Sequence, residues 1–408
     1  MYSLSQGKAI AVFAAFAFAY FFSALIRAIT ATLAPTLVQE FALNARDLGL
    51  LAGGYFIGFA ATQLPLGHWL DRLGPKKVVL GFLSMAVLGC VAFSMATSFA
   101  GLLLARVLCG VGVSACLMAP LTGYRRWYAP ANQMRANSWM LMVGALGMVA
   151  STLPVQWLMP WIGWRMIFLL LGALVGLSMV MIVWQVPAWP SAPTAGNGAP
   201  QPVPTGYAEV WRNPYFRQLV PLGFFNFGGL VAMQTLWAAP WMVKVAAYSP
   251  LQAATGLFWL NVAMLLSFWL WGVANPWLAR RHYTPERLIT YGMPVSIITL
   301  AIIVIAGDAI STGAAVIFTV YCVSSTVGAL AQPAVGLAFP SHLAGRALSA
   351  YNLVIFSGVF TVQWGIGLVV DGLRACAWTE PHAYQGAMGV YALCCVGAYS
   401  YYLAAKKP

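Results

Sequence analysis

Apolar residues in this chain fall in long runs, separated by short polar stretches. Twelve runs of roughly 20 residues or more occupy about 9–35, 48–69, 77–97, 100–123, 136–158, 164–186, 218–243, 252–278, 286–306, 311–336, 346–370 and 384–404. Such lengths cross a hydrocarbon core of about 30 Å as helices. The pattern predicts an all-α membrane protein with twelve transmembrane helices. The longest non-apolar stretch, Pro187 to Arg217, is rich in Pro, Ala and Gly and reads as a flexible linker. The chain then divides into an N-terminal six-helix bundle (1–186), a linker (187–217) and a C-terminal six-helix bundle (218–408). The halves echo each other weakly. The fifth run opens with Arg135-Ala136-Asn137-Ser138 and the eleventh with Arg346-Ala347-Leu348-Ser349. Six-helix repeats around a linker point to a carrier whose site lies at the repeat interface.

Composition agrees. The chain is 61% hydrophobic and 7% charged, against about 25% charged in soluble domains. The net charge of +13 forms no stripe of the kind nucleic acid would need. It follows membrane orientation instead. Fifteen basic residues flank one side: Lys8, Arg72, Lys76, Lys77, Arg125, Arg126, Arg135, Arg212, Arg217, Arg280, Arg281, Arg287, Arg346, Lys406 and Lys407. Only Arg46, Arg165, Lys244 and Arg374 flank the other; Arg27 and Arg106 complete the 21. Both termini and the linker are therefore expected in the cytoplasm of a bacterial-type inner membrane. No cleavable signal peptide is expected, because the first apolar run is too long for one. The seven cysteines show neither a disulfide framework nor metal-like spacing. No metal or cofactor is expected.

Arg27 and Arg106 are the informative charges. Each is the only charge in a span of membrane length: Arg27 between Lys8 and Glu40, Arg106 between Lys77 and Arg125. A charge at such depth costs several kcal/mol by most estimates and usually marks a substrate or ion pathway. The eight acids, Glu40, Asp47, Asp71, Glu209, Glu286, Asp308, Asp371 and Glu380, all fall in loops or at helix ends. An anionic ligand is thus the expected partner.

Between the second and third runs stands Gly67-His68-Trp69-Leu70-Asp71-Arg72-Leu73-Gly74-Pro75-Lys76-Lys77. This loop resembles the major facilitator superfamily signature, Gly-x-x-x-Asp-Arg-x-Gly followed by basic residues; Pro75 stands where many members have Arg. On the fourth run, Arg106-Val107-Leu108-Cys109-Gly110-Val111-Gly112 resembles that family's Arg-x-x-x-Gly-x-Gly. The Gly-x-x-x-Gly-Pro common in its exporters is absent from the fifth run. The resemblance implies two rocking bundles, with helices 1, 2, 4, 5, 7, 8, 10 and 11 around a central cavity. The signature loop would act as a gate. Gly67 would allow close helix approach and Gly74 a tight turn. Asp71 would meet the N-terminus of helix 11 or pair with Arg135 or Arg346. Arg72 and Lys76 complete the gating set. An arginine on helix 1 resembles the organic-anion carriers of the family.

The candidate site starts from Tyr20, Ser23 and Arg27, which share a helix face at spacings of three and four. On the seventh run Asn226, Gln234 and Trp237 align at i, i+8 and i+11; on the eleventh, Asn352 and Gln363 align at i and i+11, with Phe356 between. Gln63, Asn261 and Gln332 are further amides. Arg106 holds either a ligand or backbone carbonyls. A cationic floor with amide and aromatic walls suits a small carboxylate, bidentate on Arg27. The expected function is uptake of an organic anion by a monomeric secondary transporter embedded in lipid, by proton symport or anion exchange. The alternatives are an efflux pump for drugs or metabolites and, in a different class, a non-transporting membrane sensor. An enzyme is not expected, since no intramembrane His, Cys and carboxylate cluster exists to carry chemistry.

Overall fold

The computed structural model describes residues 4–128, 130–188 and 207–405, and of residues 71, 130, 131, 134, 275, 276, 279, 341 and 342 only the backbone. Most of the predicted linker thus lies outside the described residues. Among the described residues there is no β-strand. Helix α1 is Gln6–Phe41. Helix α2 is a bent pair, Ala45–Ala61 and Gln63–Leu70, turned by 41°. Then come α3, Arg72–Met95, and α4, Phe99–Trp127. Helix α5 is Pro130–Ala150, continued past a break at Ser151 and Thr152 by the first part of Leu153–Gln185. The chain reverses at Gly163, and α6 is 164–185. The second half holds α7 (Pro214–Lys244), α8 (Pro250–Arg280), α9 (Pro285–Ala306), α10 (314–338), α11 (Ser341–Ala375) and α12 (Glu380–Ala405).

Physical length makes the count. Pro285–Ala338 is one apolar helical run of 54 residues. At 1.5 Å per residue it would reach about 80 Å, well over twice a bilayer core. It is therefore two crossings, α9 and α10, joined by a 3-10 turn at Gly307–Gly313. Two other reversals need a left-handed residue, and each has glycine there: Gly74 at φ 79° and Gly163 at φ 68°. The turn expected at Gly74 is present. Gly67 is different: it is exposed, and nothing lies within 4 Å of where its Cβ would be. It makes no close helix approach.

Close approaches fall on two faces of α2. A Cβ at Gly58 would overlap the Val107 carbonyl oxygen and lie 3.1 Å from its carbon. Gly110 of α4 answers from the other side, where a Cβ would overlap the Tyr55 oxygen and lie 2.8 Å from its carbon. This seam welds α2 to α4 inside the first half. The opposite face, at Gly49 and Gly53, meets α11 at Gln363 and Phe360. The halves join along α2 and α11, with α1 against α7 and α5 against α8. We call the end carrying Gly74 the linker end, and the end carrying Gly163 and Asp371 the far end.

Helix α7 departs from the expected regularity. Leu222–Phe227 and Met233–Trp237 are π-helical. Each π turn bonds i to i+5 instead of i+4 and shifts the face of everything beyond it. The alignment of Asn226, Gln234 and Trp237 that a 3.6-residue period predicts is therefore lost. Asn226 reaches Cys395 on α12, Gln234 reaches Asn261 on α8, and Trp237 reaches Gln363 on α11.

Candidate functional site

Arg27 lies two thirds of the way along α1 and is half-buried. Its guanidinium carbon is 5.7 Å from the centroid of the Phe59 ring on α2. The phenol groups of Tyr20 and Tyr55 stand beside it. Its Nε is enclosed and has no hydrogen-bond partner. The same holds for Ser23 Oγ and Tyr55 Oη. The face read from the sequence as Tyr20, Ser23 and Arg27 thus gains Tyr55, Phe59 and Cys116 as neighbours. Three ion pairs, Arg46–Asp47, Arg165–Glu40 and Lys244–Glu380, lie near the far end. None involves Arg27.

Arg106 is fully enclosed, at 0% exposure. Its Nη1 donates to the carbonyl of Ile26 at 2.8 Å, and its guanidinium lies 5.1 Å from the Tyr55 ring centroid. Nε and Nη2 have no partner. Arg106 therefore fixes the residue next to Arg27, and Tyr55 stands between the two cations. An enclosed charged donor without an acceptor is costly. Several unpartnered polar atoms thus surround one partly exposed cation.

The amides occupy several places. Gln234 Nε2 donates to Asn261 Oδ1 at 2.8 Å, and Asn261 Nδ2 to the Leu257 carbonyl at 2.8 Å. Gln332 Nε2 donates to Asn352 Oδ1 at 2.6 Å, linking α10 and α11. Gln363 Nε2 donates to Thr235 Oγ1 at 3.0 Å, leaving its Oε1 unpartnered. Trp237 Nε1 donates to the Gln363 carbonyl at 3.0 Å. Gln63 bonds back to the Phe59 carbonyl of its own helix beside the α2 bend. Asn226 lies with Ser296, Tyr321 and Cys395 inside the second half, apart from Arg27. Phe356 of α11 meets Phe59 at a ring-centroid distance of 4.4 Å. It carries the second half to the wall beside Arg27.

At the linker end, Lys76 Nζ donates to the carbonyls of Val183 and Val186, both at 2.8 Å, and ties the signature loop to α6. Arg72 and Arg135 are exposed. Arg346 is half-buried near Tyr207. Burial pushes the Tyr207 phenol up, and Arg346 partly offsets this. The Asp71 side chain lies outside the described residues. Sequence reasoning missed Tyr55, whose one signal was a phenol in the middle of an apolar run.

Curated relatives match in part. The chain is 28% identical to the hexuronate transporter of Escherichia coli (strain K12) over 153 residues, 37% of this chain and 35% of that protein. It is 29% identical to the gallate transporter of Pseudomonas putida over 161 residues, 38% and 35% of the two chains. It is 31% identical to a chloramphenicol resistance protein of Pseudomonas aeruginosa over 163 residues, 38% and 36%. The chain thus spans about a third of the length of the curated relatives it matches. Among solved structures, a bacterial homolog of the human lysosomal transporter Spinster, inward-facing and unoccupied, superposes with a TM-score of 0.78 at 18% identity over 98% of each chain. A D-xylose-proton symporter superposes at 0.76 and 13% identity, over 96% of this chain and 97% of that one. The two-half helical architecture is thus shared with solved carriers, and the family profile of the Major Facilitator Superfamily matches residues 16–362. The chain, a multi-pass membrane protein, belongs to the Major Facilitator Superfamily.

Proposed function

We propose that the protein takes up a small organic anion bearing a carboxylate, by alternating access of its two six-helix bundles (1–186 and 218–408). One observation carries this reading. Arg27 is a partly exposed membrane cation whose enclosed Nε lacks an acceptor, beside the unpartnered Tyr55 and Ser23 hydroxyls. A carboxylate seated there would take a bidentate bond from Arg27 and a second donor from Tyr55 or Tyr20. Arg106 acts behind it, holding Ile26. The pairs Gln234–Asn261 and Gln332–Asn352 would supply further amide partners for a sugar or ring hydroxyl. Hexuronate and gallate, named for two relatives, are carboxylate anions of this size. The linker end faces the cytoplasm of an inner membrane, as the lysine and arginine distribution favours. There the gate is formed by Asp71, Arg72, Gly74, Lys76, Arg135 and Arg346. With no acid deep in a span, coupling runs through the substrate's own proton or through anion exchange.

A thermal-shift screen of the purified protein against aliphatic and aromatic carboxylates tests the substrate class. A carboxylate should raise the unfolding midpoint of the parent and leave Arg27→Ala unmoved. Equal shifts in both proteins reject the assignment. Export is the second reading, favoured by the similarity to a chloramphenicol resistance protein. Accumulation in everted rather than right-side-out vesicles would support it.

A further inference from the structure

The far end carries a closure that the signature loop does not explain. Helix α2 begins there, and its first backbone N–H groups have no partners within the helix. Ala45 N donates to Asp371 Oδ1 at 3.2 Å and Arg46 N to Asp371 Oδ2 at 2.8 Å. Asp47 N donates to Asn44 Oδ1 at 2.8 Å, and Leu48 N to the Asn44 carbonyl at 3.0 Å. The Ala45, Arg46 and Asp47 N–H groups, which have no acceptor within the helix, are thus satisfied, two of them by one carboxylate from the other half of the molecule. The positive end of the α2 dipole adds to that attraction.

Beneath this cap the two helices touch with no space for side chains. A Cβ at Gly367 would lie 2.8 Å from the Ala45 carbonyl carbon, and one at Gly49 would lie 3.1 Å from the Gln363 carbonyl carbon. A Cβ at Gly53 would lie 2.9 Å from the Phe360 ring. Gly49 and Gly53 are four residues apart and share one face, as small residues do at tight helix crossings. Trp237 Nε1 bonds to the Gln363 carbonyl and brings α7 into the same seal. Outside the seal lies a cavity of about 460 Å³, lined among others by Leu48, Lys244, Asp371 and Arg374.

We infer that Asp371 is the far-end gate latch: its carboxylate caps α2 across the halves and holds the glycine seam of α2 and α11 shut. Opening toward the far side breaks the cap and parts the seam. The Gly58–Val107 seam stays intact, because both its helices belong to one half. The latch does not depend on which substrate is carried, so it stands or falls separately from the anion reading.

Accessibility of a buried position tests it. Leu48 is 2% exposed beside the cavity. Leu48→Cys is placed in a full-length background with all seven native cysteines replaced, and is labelled from the far side with a membrane-impermeant maleimide. Asp371→Ala should speed labelling about tenfold, the change that about 1.4 kcal/mol of lost latch gives. Gly367→Ala, which wedges the seam, should also speed it. Gly58→Ala should leave the labelling rate unchanged while lowering the thermal midpoint. Labelling at the parent rate in Asp371→Ala, with the protein monodisperse, overturns the latch. Should Asp371→Ala not fold, Asp371→Asn is read by the same rule, since an amide keeps only one acceptor oxygen.

Discussion

Gly110→Ala probes how the packing of α4 on α2 serves the site. The substitution adds one methyl group in a fully enclosed place. Its Cβ would lie 2.8 Å from the Tyr55 carbonyl carbon, where ordinary contact begins near 3.4 Å. The two helices must therefore part by more than about half an ångström, in an interior that is close-packed and yields little. Alanine favours helix over glycine by about 1 kcal/mol. Overpacking of this kind costs about 1–3 kcal/mol or more. With the overpacking at the upper end of that range, because the overlap is with backbone, the net effect is a loss of about 2 kcal/mol, and it falls on the residue that stands between Arg27 and Arg106. Displacing Tyr55 moves its hydroxyl away from Arg27 and its ring from under Arg106. Purified Gly110→Ala should thus unfold several degrees below the parent and bind carboxylate at least fivefold more weakly. Differential scanning fluorimetry gives the first quantity and ligand titration the second. An unchanged midpoint together with unchanged affinity would refute the claim that the Gly110–Tyr55 contact sets the site's geometry.

Two further substitutions separate binding from scaffold. Tyr55→Phe removes only an unpartnered hydroxyl. It should shift stability by under about 0.5 kcal/mol yet weaken carboxylate binding about tenfold or more, as a lost hydrogen bond to a charged ligand does; an equal loss in both readouts would make Tyr55 structural. Lys76→Gln removes the cation that binds two carbonyls at the end of α6. It should leave equilibrium affinity for the anion intact while slowing exchange across the membrane, measured as counterflow in proteoliposomes; weaker binding at an unchanged rate would place Lys76 outside the gate.

The sequence made most of the architecture readable, and the reasons are visible at single residues. Apolar run length fixes where helices cross, because bilayer thickness is a fixed ruler. Glycine at 74 and 163 marks the reversals because only glycine takes those dihedrals cheaply. What sequence could not provide was rotation about a helix axis. Two π turns in α7 separate Asn226, Gln234 and Trp237, although their spacing placed them on one face. Nor did composition tell which glycines touch another backbone: Gly67 of the signature loop does not, while Gly58 and Gly110 do. Arg27 was legible because an isolated charge in a long apolar run is conspicuous. Tyr55 was not, since one phenol among aromatics carries no such contrast. Asp371 stood at a helix end like the other acids, and only the fold brings it to the start of α2, more than three hundred residues away in sequence.

Substrate flux through Arg27 variants tests the anion reading most directly. Parent, Arg27→Lys and Arg27→Ala proteins are reconstituted at equal density, and uptake of a carboxylate identified by thermal shift is measured. Loss of two charge-assisted hydrogen bonds is worth about 3 kcal/mol, or roughly a hundredfold in affinity. Arg27→Ala should therefore show near-background flux at substrate concentrations that saturate the parent. Arg27→Lys should keep the charge, lose the bidentate fork and transport with a clearly raised KM. Parent-like uptake by folded Arg27→Ala would contradict the assignment and remove Arg27 from the path of the substrate.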